Sequence, residues 1–181
     1  MTPSDLSGPV DQVARRLLGH RLSTDFGGTT ALVIEEVEAY GGADDPASHA
    51  YRGRTVRNAS MFGPAGTLYV YRSYGVHWCA NVVTGPEGTG EAVLIRGGRV
   101  VEGMDLMLAR RGRRDHLTDG PGKLTQALGI TGDHDGTSVL EGPVRLEDGP
   151  APDPALVFRT PRIGISREAE RRWRFVVEGG R

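Results

Sequence analysis

The sequence predicts an α+β fold: one compact domain over residues 1–181, with a mixed or antiparallel curved β-sheet, short surrounding helices and a protruding β-hairpin. Three observations support this class. Short apolar or β-branched runs recur between turn residues, a few short segments have helical spacing, and 27 glycines in 181 residues are typical of a chain with many turns. The length fits one domain that can bury a substantial core.

Short helices are predicted in three places. Residues 10–18 carry apolar side chains at helical spacing and stop before Gly19, a residue that commonly ends a helix. Residues 100–110 are predicted as a second helix, and the arginines at its end suit the negative pole of the helix dipole. Residues 120–130 combine a glycine-rich turn with a third short helix.

Strands are predicted where apolar and β-branched residues cluster between these helices. They are residues 29–37, 92–96, 144–146, 155–158, 163–165 and 174–177, in addition to a hairpin. Residues 41–66 form a long irregular segment rich in Gly, Asp, Arg and Asn. A segment of this length is rarely without a role in a compact domain, so it is a candidate functional loop.

The predicted hairpin, residues 66–81, holds three of the five tyrosines and one of the two tryptophans. Alternation places Tyr69 and Tyr71 on one strand face, and a tight turn presents Tyr74 at the tip beside the guanidinium of Arg72. An aromatic wedge flanked by cations suits the separation of stacked bases. The alternative is a hairpin whose aromatic side chains are buried in a core.

Charge is distributed unevenly along the chain. The net charge is -1, but residues 50–114 contain 10 arginines and 4 acidic residues, a local charge of +6 between two acidic flanks. All basic residues except Lys123 are arginines. A genome of high GC content produces this bias without a functional cause, although arginine also binds phosphate and stacks on bases well.

Cysteine content and hydropathy indicate a cytoplasmic protein. The single cysteine, Cys79, excludes an internal disulfide and suits a reducing compartment. We expect neither a signal peptide nor a membrane span, because no stretch has the required pattern. The five scattered histidines do not form a zinc motif, and Walker, GxGxxG and GxSxG motifs are absent, so we expect no metal and no cofactor.

Glu38 is the candidate catalytic carboxylate. It follows the apolar run of residues 31–34 and Val37, where a buried strand emerges, and a partly desolvated carboxylate can act as a base. Alternation alone also allows Glu36 and Glu38 to lie on a solvated strand face. His49 lies in the long irregular segment, where a lone histidine is usually a loop hydrogen-bonding residue.

Several motifs taken together resemble the alkyladenine (3-methyladenine) DNA glycosylase family. They occur in the same order over nearly the whole chain, and the combination is specific. The motifs are Glu38-Ala39-Tyr40, Ser48-His49, Arg57-Asn58, Met61-Phe62-Gly63-Pro64, the tyrosine-rich hairpin ending at Asn81, residues 120–130, Pro161-Arg162-Ile163-Gly164-Ile165 and Arg174-Phe175-Val176.

This resemblance implies a monofunctional enzyme of base excision repair. Such an enzyme flips an alkylated or otherwise damaged purine out of duplex DNA and hydrolyses its N-glycosidic bond with water, leaving an abasic site. By the resemblance, Glu38 would be the general base that activates the water, and Arg96 would hold that water and the nearby sugar-phosphate. The flipped base would stack in a slot formed by Tyr40, His49 and Tyr71, with His49 hydrogen-bonding its edge.

The resemblance also implies contacts that select the lesion and hold the duplex. Asn81 would crowd the exocyclic amine of a normal guanine, and Tyr74 would fill the gap left in the duplex. Arg57, Arg72 and Lys123 would bind the DNA backbone. We expect the chain to act as a monomer on double-stranded DNA near the nucleoid, without a membrane partner.

Two other functions remain open from the residues. Lys123 could act as an imine-forming nucleophile, which would give a bifunctional glycosylase that also nicks the strand. The chain could instead be a non-enzymatic binder of damaged or single-stranded DNA that uses its tyrosines and arginines. Glu38 and Arg96 are the residues that distinguish a DNA-binding protein from a glycosylase, because a binding protein does not need a buried carboxylate.

Overall fold

An antiparallel β-sheet organises the chain in the computed structural model, which describes residues 1–179. The strands are β1 (Arg21–Asp25), β2 (Thr29–Gly41), β3 (Leu68–Ser73), β4 (His77–Thr84), β5 (Glu91–Glu102), β6 (Val144–Glu147), β7 (Val157–Thr160) and β8 (Arg174–Val177). The α-helices are α1 (Val10–Leu17), α2 (Met104–Arg111) and α3 (Pro121–Leu128). Short 3₁₀ helices occur at Pro3–Leu6, Gly42–Asp44, Ala59–Phe62, Gly132–His134 and Pro154–Leu156.

The long strand β2 lies at the centre of the sheet, whose order is β3-β4-β5-β2-β1-β6. One edge of β2 pairs with β5, while the other pairs first with β1 and then, from Glu36 to Glu38, with β8. Strand β7 pairs with the free edge of β8. Register shifts on both sides of Glu36 bend β2, and such bulges increase the local twist. The predicted α+β class with a curved antiparallel sheet is therefore confirmed.

Two groups of buried side chains stabilise this arrangement. The main core joins helices and sheet, and includes Val13 and Leu17 of α1, Leu32 of β2 and Leu124 of α3. A smaller cluster lies under residues 42–66 and consists of Ala50, Met61, Tyr69, Val83 and Ala92. This second cluster fixes the segment that the sequence predicted as long and irregular. Within residues 1–179, no helix is long and apolar enough to cross a membrane.

Most of the predicted elements are confirmed. The first helix ends at Leu17, one residue before the predicted end, and α3 lies within the predicted 120–130 segment. The hairpin forms as predicted, with its second strand starting at His77. At its tip, Tyr74 is 91% exposed. Of the three hairpin tyrosines, only Tyr69 is fully buried in a core, with 1% of its surface exposed.

The predicted helix over 100–110 is wrong at its start. β5 continues to Glu102, because Val100 pairs with Leu32 of β2 and the ladder satisfies its backbone. Gly103 then adopts a φ of +74°, which ends the strand, and the helix begins at Met104.

Two predicted strands near the C-terminus also differ. Residues 163–165 do not form a strand, since the Ile163 N–H donates to the carboxylate of Glu38 instead of to a neighbouring strand. Residues 155–156 belong to a 3₁₀ helix capped by Asp153, so the strand begins at Val157. β1 was not predicted, because its Arg-Leu-Ser-Thr-Asp sequence is mostly polar and lacks a β-branched apolar run.

Candidate functional site

A row of side chains crosses four neighbouring strands of the sheet. Tyr69 of β3 pairs with Asn81 of β4, Asn81 pairs with Leu94 of β5, and Leu94 pairs with Glu38 of β2. Directly paired residues project to the same face of an antiparallel sheet, so the four side chains share one face. The register of the sheet therefore brings together residues separated by more than 40 positions in the sequence.

A cleft of about 900 Å³ opens over this face. Tyr40, Tyr71 and Arg96 line it from positions two residues further along β2, β3 and β5, which keeps them on the same face. His49 and the segment 163–167 form other parts of the wall. A volume of this size is within the range of about 300–1,000 Å³ that is usual for small-molecule sites.

Glu38 lies beneath the floor of the cleft with its side chain fully buried. Its Oε2 accepts hydrogen bonds from the Tyr40 hydroxyl at 2.9 Å and from Nη1 of Arg96 at 3.3 Å. Its Oε1 accepts one from the Ile163 backbone N–H at 2.7 Å. The alternative of a solvated strand face is therefore wrong, because Tyr40, Arg96 and the Ile163 N–H enclose the Glu38 carboxylate.

Arg96 connects Glu38 to a second buried carboxylate. Its Nε donates to Oε1 of Glu36 at 2.9 Å, and the same oxygen accepts from Nε of Arg174 at 2.6 Å. Burial opposes ionisation of Glu36, but the hydrogen bonds from Arg174 and Arg96 together outweigh it, so the pKa of Glu36 lies below its ordinary value. For Arg96, burial is outweighed by Glu38 and Glu36, which raise its pKa.

The two tyrosines of the proposed slot remain neutral hydroxyls. Burial, followed by the nearby charge of Glu38, raises the pKa of Tyr40 well above its ordinary value. Burial is also the largest cause that raises the pKa of Tyr71. Tyr40 therefore donates its hydrogen to Glu38, and both rings present neutral aromatic faces.

His49 stands at the edge of the cleft, nearly perpendicular to Tyr71. The two ring centroids are 4.5 Å apart and the interplanar angle is 77°. Nδ1 of His49 lies 3.0 Å from the Tyr69 hydroxyl, which has no other hydrogen-bond partner in the described part of the chain. A donating Tyr69 leaves the hydrogen of the neutral imidazole on Nε2. Burial raises the pKa of Tyr69 to about 12, which keeps this donor protonated.

The surroundings of the His49 imidazole favour its neutral form at pH 7. Its ring is open to the cleft, yet the surrounding protein removes enough water to lower its pKa, and the charge of Arg57 lowers it further. Asn58 holds the backbone that carries this histidine. Its Nδ2 donates to the carbonyls of His49 and Gly53, while its Oδ1 accepts from the N–H and hydroxyl of Thr55.

Asn81 is held in one orientation on the cleft floor. Its Nδ2 donates to the Tyr69 carbonyl at 3.0 Å, and the residue is 4% exposed. Because the amide nitrogen is fixed, the position of the Asn81 side chain in the cleft is defined by the β3 to β4 register.

The mouth of the cleft carries exposed aromatic, apolar and cationic side chains. Tyr74 lines it and has a positive φ of 50°, as does the following Gly75 at 68°, the pattern of type I′ turns. A bulky residue with positive φ is uncommon and is not explained by packing here. Val76 is 65% exposed at the same tip and was not singled out from the sequence.

Four arginines of this region, Arg52, Arg57, Arg72 and Arg167, make no salt bridge within residues 1–179. Three of them line the cleft, and the Arg72 guanidinium stacks on Trp78 at 5.1 Å. Arg57 links the long loop to the hairpin by donating to the Arg72 carbonyl at 3.3 Å. Free cations around a cleft form a positive rim that suits a polyanion.

Lys123 does not line the cleft. Its Nζ donates to Asp119 at 3.1 Å, and its side chain is 39% exposed. α3 nevertheless reaches the hairpin, because a Cβ on Gly122 would lie only 2.7 Å from Cβ of His77. The preceding Pro121 lines the cleft. An ion-paired, half-exposed ammonium is not the desolvated amine that imine chemistry requires.

The sequence did not reveal the residues that support the site from beneath. Glu36, Asp45 and Arg162 are buried polar residues, and the sequence assigned none of them a supporting role. The acidic Glu35-Glu36 pair beside Glu38 would repel DNA if both carboxylates were unpaired. Instead, Glu36 is neutralised by two arginines and Glu35 pairs with Arg99. Among residues 1–179, no group of three or more metal-ligating side chains is present.

An aromatic cleft with an arginine rim above a buried carboxylate is the arrangement expected of an enzyme that acts on a flat ring joined to a phosphate backbone. Comparison with known proteins agrees. A model of the methylpurine-DNA glycosylase (MPG) family matches residues 4–181. The chain belongs to this family, and is thus a DNA glycosylase, a hydrolase of N-glycosyl bonds.

Similar proteins share about half of their residues with this chain. A protein of Methanoculleus marisnigri named "Putative 3-methyladenine DNA glycosylase" is 54% identical over 175 residues, covering 93% of this chain and 90% of that protein. Proteins with the same name from Nocardia farcinica and Frankia casuarinae are 52% and 50% identical, covering 90% and 94% of this chain and 80% and 85% of their own lengths.

Proposed function

We propose that this chain flips damaged purines out of duplex DNA and hydrolyses their N-glycosidic bond with a water activated by Glu38. The observation that carries the proposal is the buried Glu38 carboxylate under an aromatic cleft. A carboxylate offers about four lone-pair positions, and three are occupied here by Tyr40, Arg96 and Ile163. The remaining position, on Oε1, would accept a hydrogen from the attacking water.

The electrostatics of the floor suit this reaction. Cleavage of the glycosidic bond develops positive charge on the sugar, and the Glu38 carboxylate would stabilise that charge while it removes a proton from water. Arg96, 12% exposed between Glu38 and the cleft, would hold the water and the neighbouring phosphate. Tyr40 contributes by fixing Oε2, so that Oε1 is the oxygen left for the reaction.

The cleft walls supply the contacts that an extruded base needs. A base stacked parallel to Tyr71 cannot also be parallel to His49, since the two rings are nearly perpendicular. His49 would therefore hydrogen-bond the edge of the base through Nε2. Asn81 would crowd the exocyclic amine of guanine, which selects against normal purines. The exposed Tyr74 would occupy the vacated space, while the arginine rim and Lys123 hold the backbone of the duplex.

Base release from duplex DNA distinguishes this function from the alternatives. Incubation with a duplex that carries one alkylated purine is expected to yield free base and an abasic strand that stays intact until alkali is added. Borohydride should trap no covalent adduct. An adduct that disappears in Lys123→Ala would instead support the strand-nicking enzyme, and tight lesion binding without any base release would support a binding protein.

Replacing the exposed Tyr74 with Asn should separate DNA binding from stability. Loss of one aromatic stack is expected to weaken binding to a lesion duplex by roughly 1–3 kcal/mol. The free energy of unfolding should stay the same or rise, because Asn tolerates positive φ better than Tyr and the ring packs against little. Fluorescence anisotropy and thermal unfolding measure the two effects. A large fall in stability with normal DNA affinity would make Tyr74 a packing residue.

His49→Ala is expected to impair removal of neutral lesions more than removal of cationic ones. A cationic methylated purine leaves readily, whereas a neutral base such as hypoxanthine needs a hydrogen bond at its edge. Single-turnover rates on duplexes with each lesion test this asymmetry. Tyr69→Phe provides a matched variant, because it keeps the ring but releases Nδ1 of His49, and it should reproduce part of the defect. Equal losses on both lesions would mean that His49 only shapes the cleft.

A further inference from the structure

Arg162 and Asp45 form a buried ion pair that has no part in the proposed reaction. The pair joins two segments of the chain. Nη1 and Nη2 of Arg162 donate to the two carboxylate oxygens of Asp45 at 2.5 and 2.8 Å, and both side chains are fully buried. Nη1 also donates to the Ala39 carbonyl at 2.9 Å. The guanidinium lies against the rings of Tyr40 and Trp173, with its central carbon 4.8 and 5.5 Å from the two centroids.

Stability alone is a weak reason for such a pair. The cost of removing both charges from water offsets most of their attraction, and apolar side chains of similar size stabilise a core at least as well. The bidentate geometry does, however, define the relative position of the two partners closely. The position of the pair therefore matters more than its energy.

Arg162 anchors the segment that reaches Glu38. Residues 161–167 lack regular structure, and in the described part of the chain two groups connect them to the rest by hydrogen bonds. One is the Arg162 side chain, and the other is the N–H of the next residue, Ile163, which donates to Oε1 of Glu38. Fixing Arg162 thus fixes the donor that orients the carboxylate.

Asp45 holds the Arg162 guanidinium in place and is itself held by backbone hydrogen bonds. It accepts from the N–H groups of Gly41 and Ala47, so its carboxylate is fixed at the start of the segment that carries His49. The Tyr40 ring lies against the guanidinium of Arg162, and its hydroxyl donates to Oε2 of Glu38. Two of the three donors to Glu38 therefore come from residues beside Arg162, Tyr40 against its guanidinium and Ile163 next to it in the chain.

We propose that Arg162 and Asp45 are positioning residues for the hydrolytic step, which hold Ile163 and Tyr40 against Glu38. The inference rests on the proposed role of Glu38 as the base. Arg162→Lys keeps the charge but loses the two-armed geometry, and Asp45→Asn keeps the shape but loses the charge. Each variant should lower the single-turnover rate of base release at saturating enzyme at least tenfold, with less than a threefold change in affinity for the lesion duplex.

Two controls separate positioning from general destabilisation. Arg159→Lys changes an exposed arginine of the adjoining strand, which pairs with Asp11 at 3.6 Å, and should leave the rate unchanged. Val144→Ala creates a small cavity in distant β6 and shows what a loss of stability alone does to the rate. Hydrogen exchange at the Ile163 amide should be faster in Arg162→Lys than in either control.

A double-mutant cycle with Glu38→Gln completes the test. If Arg162 acts through Glu38, Arg162→Lys should change the residual rate of Glu38→Gln less than twofold. The positioning role would be overturned if Arg162→Lys lowered the rate of Glu38→Gln as much as it lowers that of the wild type. It would also be overturned if the rate of Arg162→Lys equalled that of Arg159→Lys, or if both Arg162→Lys and Asp45→Asn failed to fold. A wild-type rate in Glu38→Gln itself would instead refute the proposed function, whatever Arg162→Lys does.

Discussion

Replacing Glu38 with Gln is expected to lower the single-turnover rate of base release by about 10²-fold or more, the usual scale for loss of a general base. Binding of the lesion duplex should change little, because the cleft walls and the arginine rim are untouched. The Gln amide oxygen can still accept from Ile163, and the Tyr40 hydroxyl can turn to accept from the amide nitrogen. Arg96 loses its bond to residue 38 but keeps its ion pair with Glu36. The fold should therefore persist.

Glu35→Gln is a matched control for this variant. It removes a carboxylate three positions away on the same strand, where Glu35 pairs with the exposed Arg99. Thermal unfolding of both variants excludes global destabilisation as the cause of a lost rate. Near-normal base release in Glu38→Gln would remove Glu38 from the mechanism.

Glu36→Gln is expected to cause a large loss of stability. Removing one partner of a buried charge network typically costs about 3–5 kcal/mol, because the remaining charge stays buried without compensation. Arg174 would be left in this state, with its side chain 7% exposed. Glu35→Gln should cost at most about 1 kcal/mol, since its partner Arg99 is solvated. Urea unfolding of the two variants measures the difference.

The pH dependence of this difference follows from the depressed pKa of Glu36. A carboxyl whose pKa is lower in the folded state stabilises the fold fully above its unfolded value, which is 4.5 here. The stabilisation is lost as the pH falls through the depressed folded value. The difference in the free energy of unfolding between wild type and Glu36→Gln should thus be constant at neutral pH and become smaller in acid. A difference that becomes larger in acid would contradict the ion network.

Local patterns predicted the hairpin and the helices well, because each depends on neighbouring residues. The tyrosine alternation in residues 68–74 and the spacing in residues 10–17 have direct counterparts in β3 and α1. The start of α2 was misplaced because pairing of Val100 across the sheet overrides local helical spacing. β1 was missed for the same reason: its polar sequence forms a strand only between β2 and β6.

From the sequence, residue type and position singled out Glu38, His49 and the hairpin tyrosines, whereas Arg96, Tyr40 and Asn81 followed only from the family resemblance. Glu38, Arg96, Tyr40, His49, Tyr71 and Asn81 converge in or beneath one cleft, although their roles stay predictions. The supporting residues could not be found this way. Arg162 and Asp45 are 117 positions apart, and their pairing depends on the path of an irregular segment that the sequence had predicted in part as a strand. Long-range partners of this kind become visible only when the fold is known.

A crystal structure of Glu38→Gln bound to a duplex with one hypoxanthine would test the central claim most directly, since this variant should bind the lesion without cleaving it. The damaged base is expected in the cleft against Tyr71 with its edge at His49, Tyr74 in the gap it leaves, and a water between the residue 38 side chain and the anomeric carbon. A hypoxanthine still stacked in the duplex, or seated away from residue 38, would contradict the account.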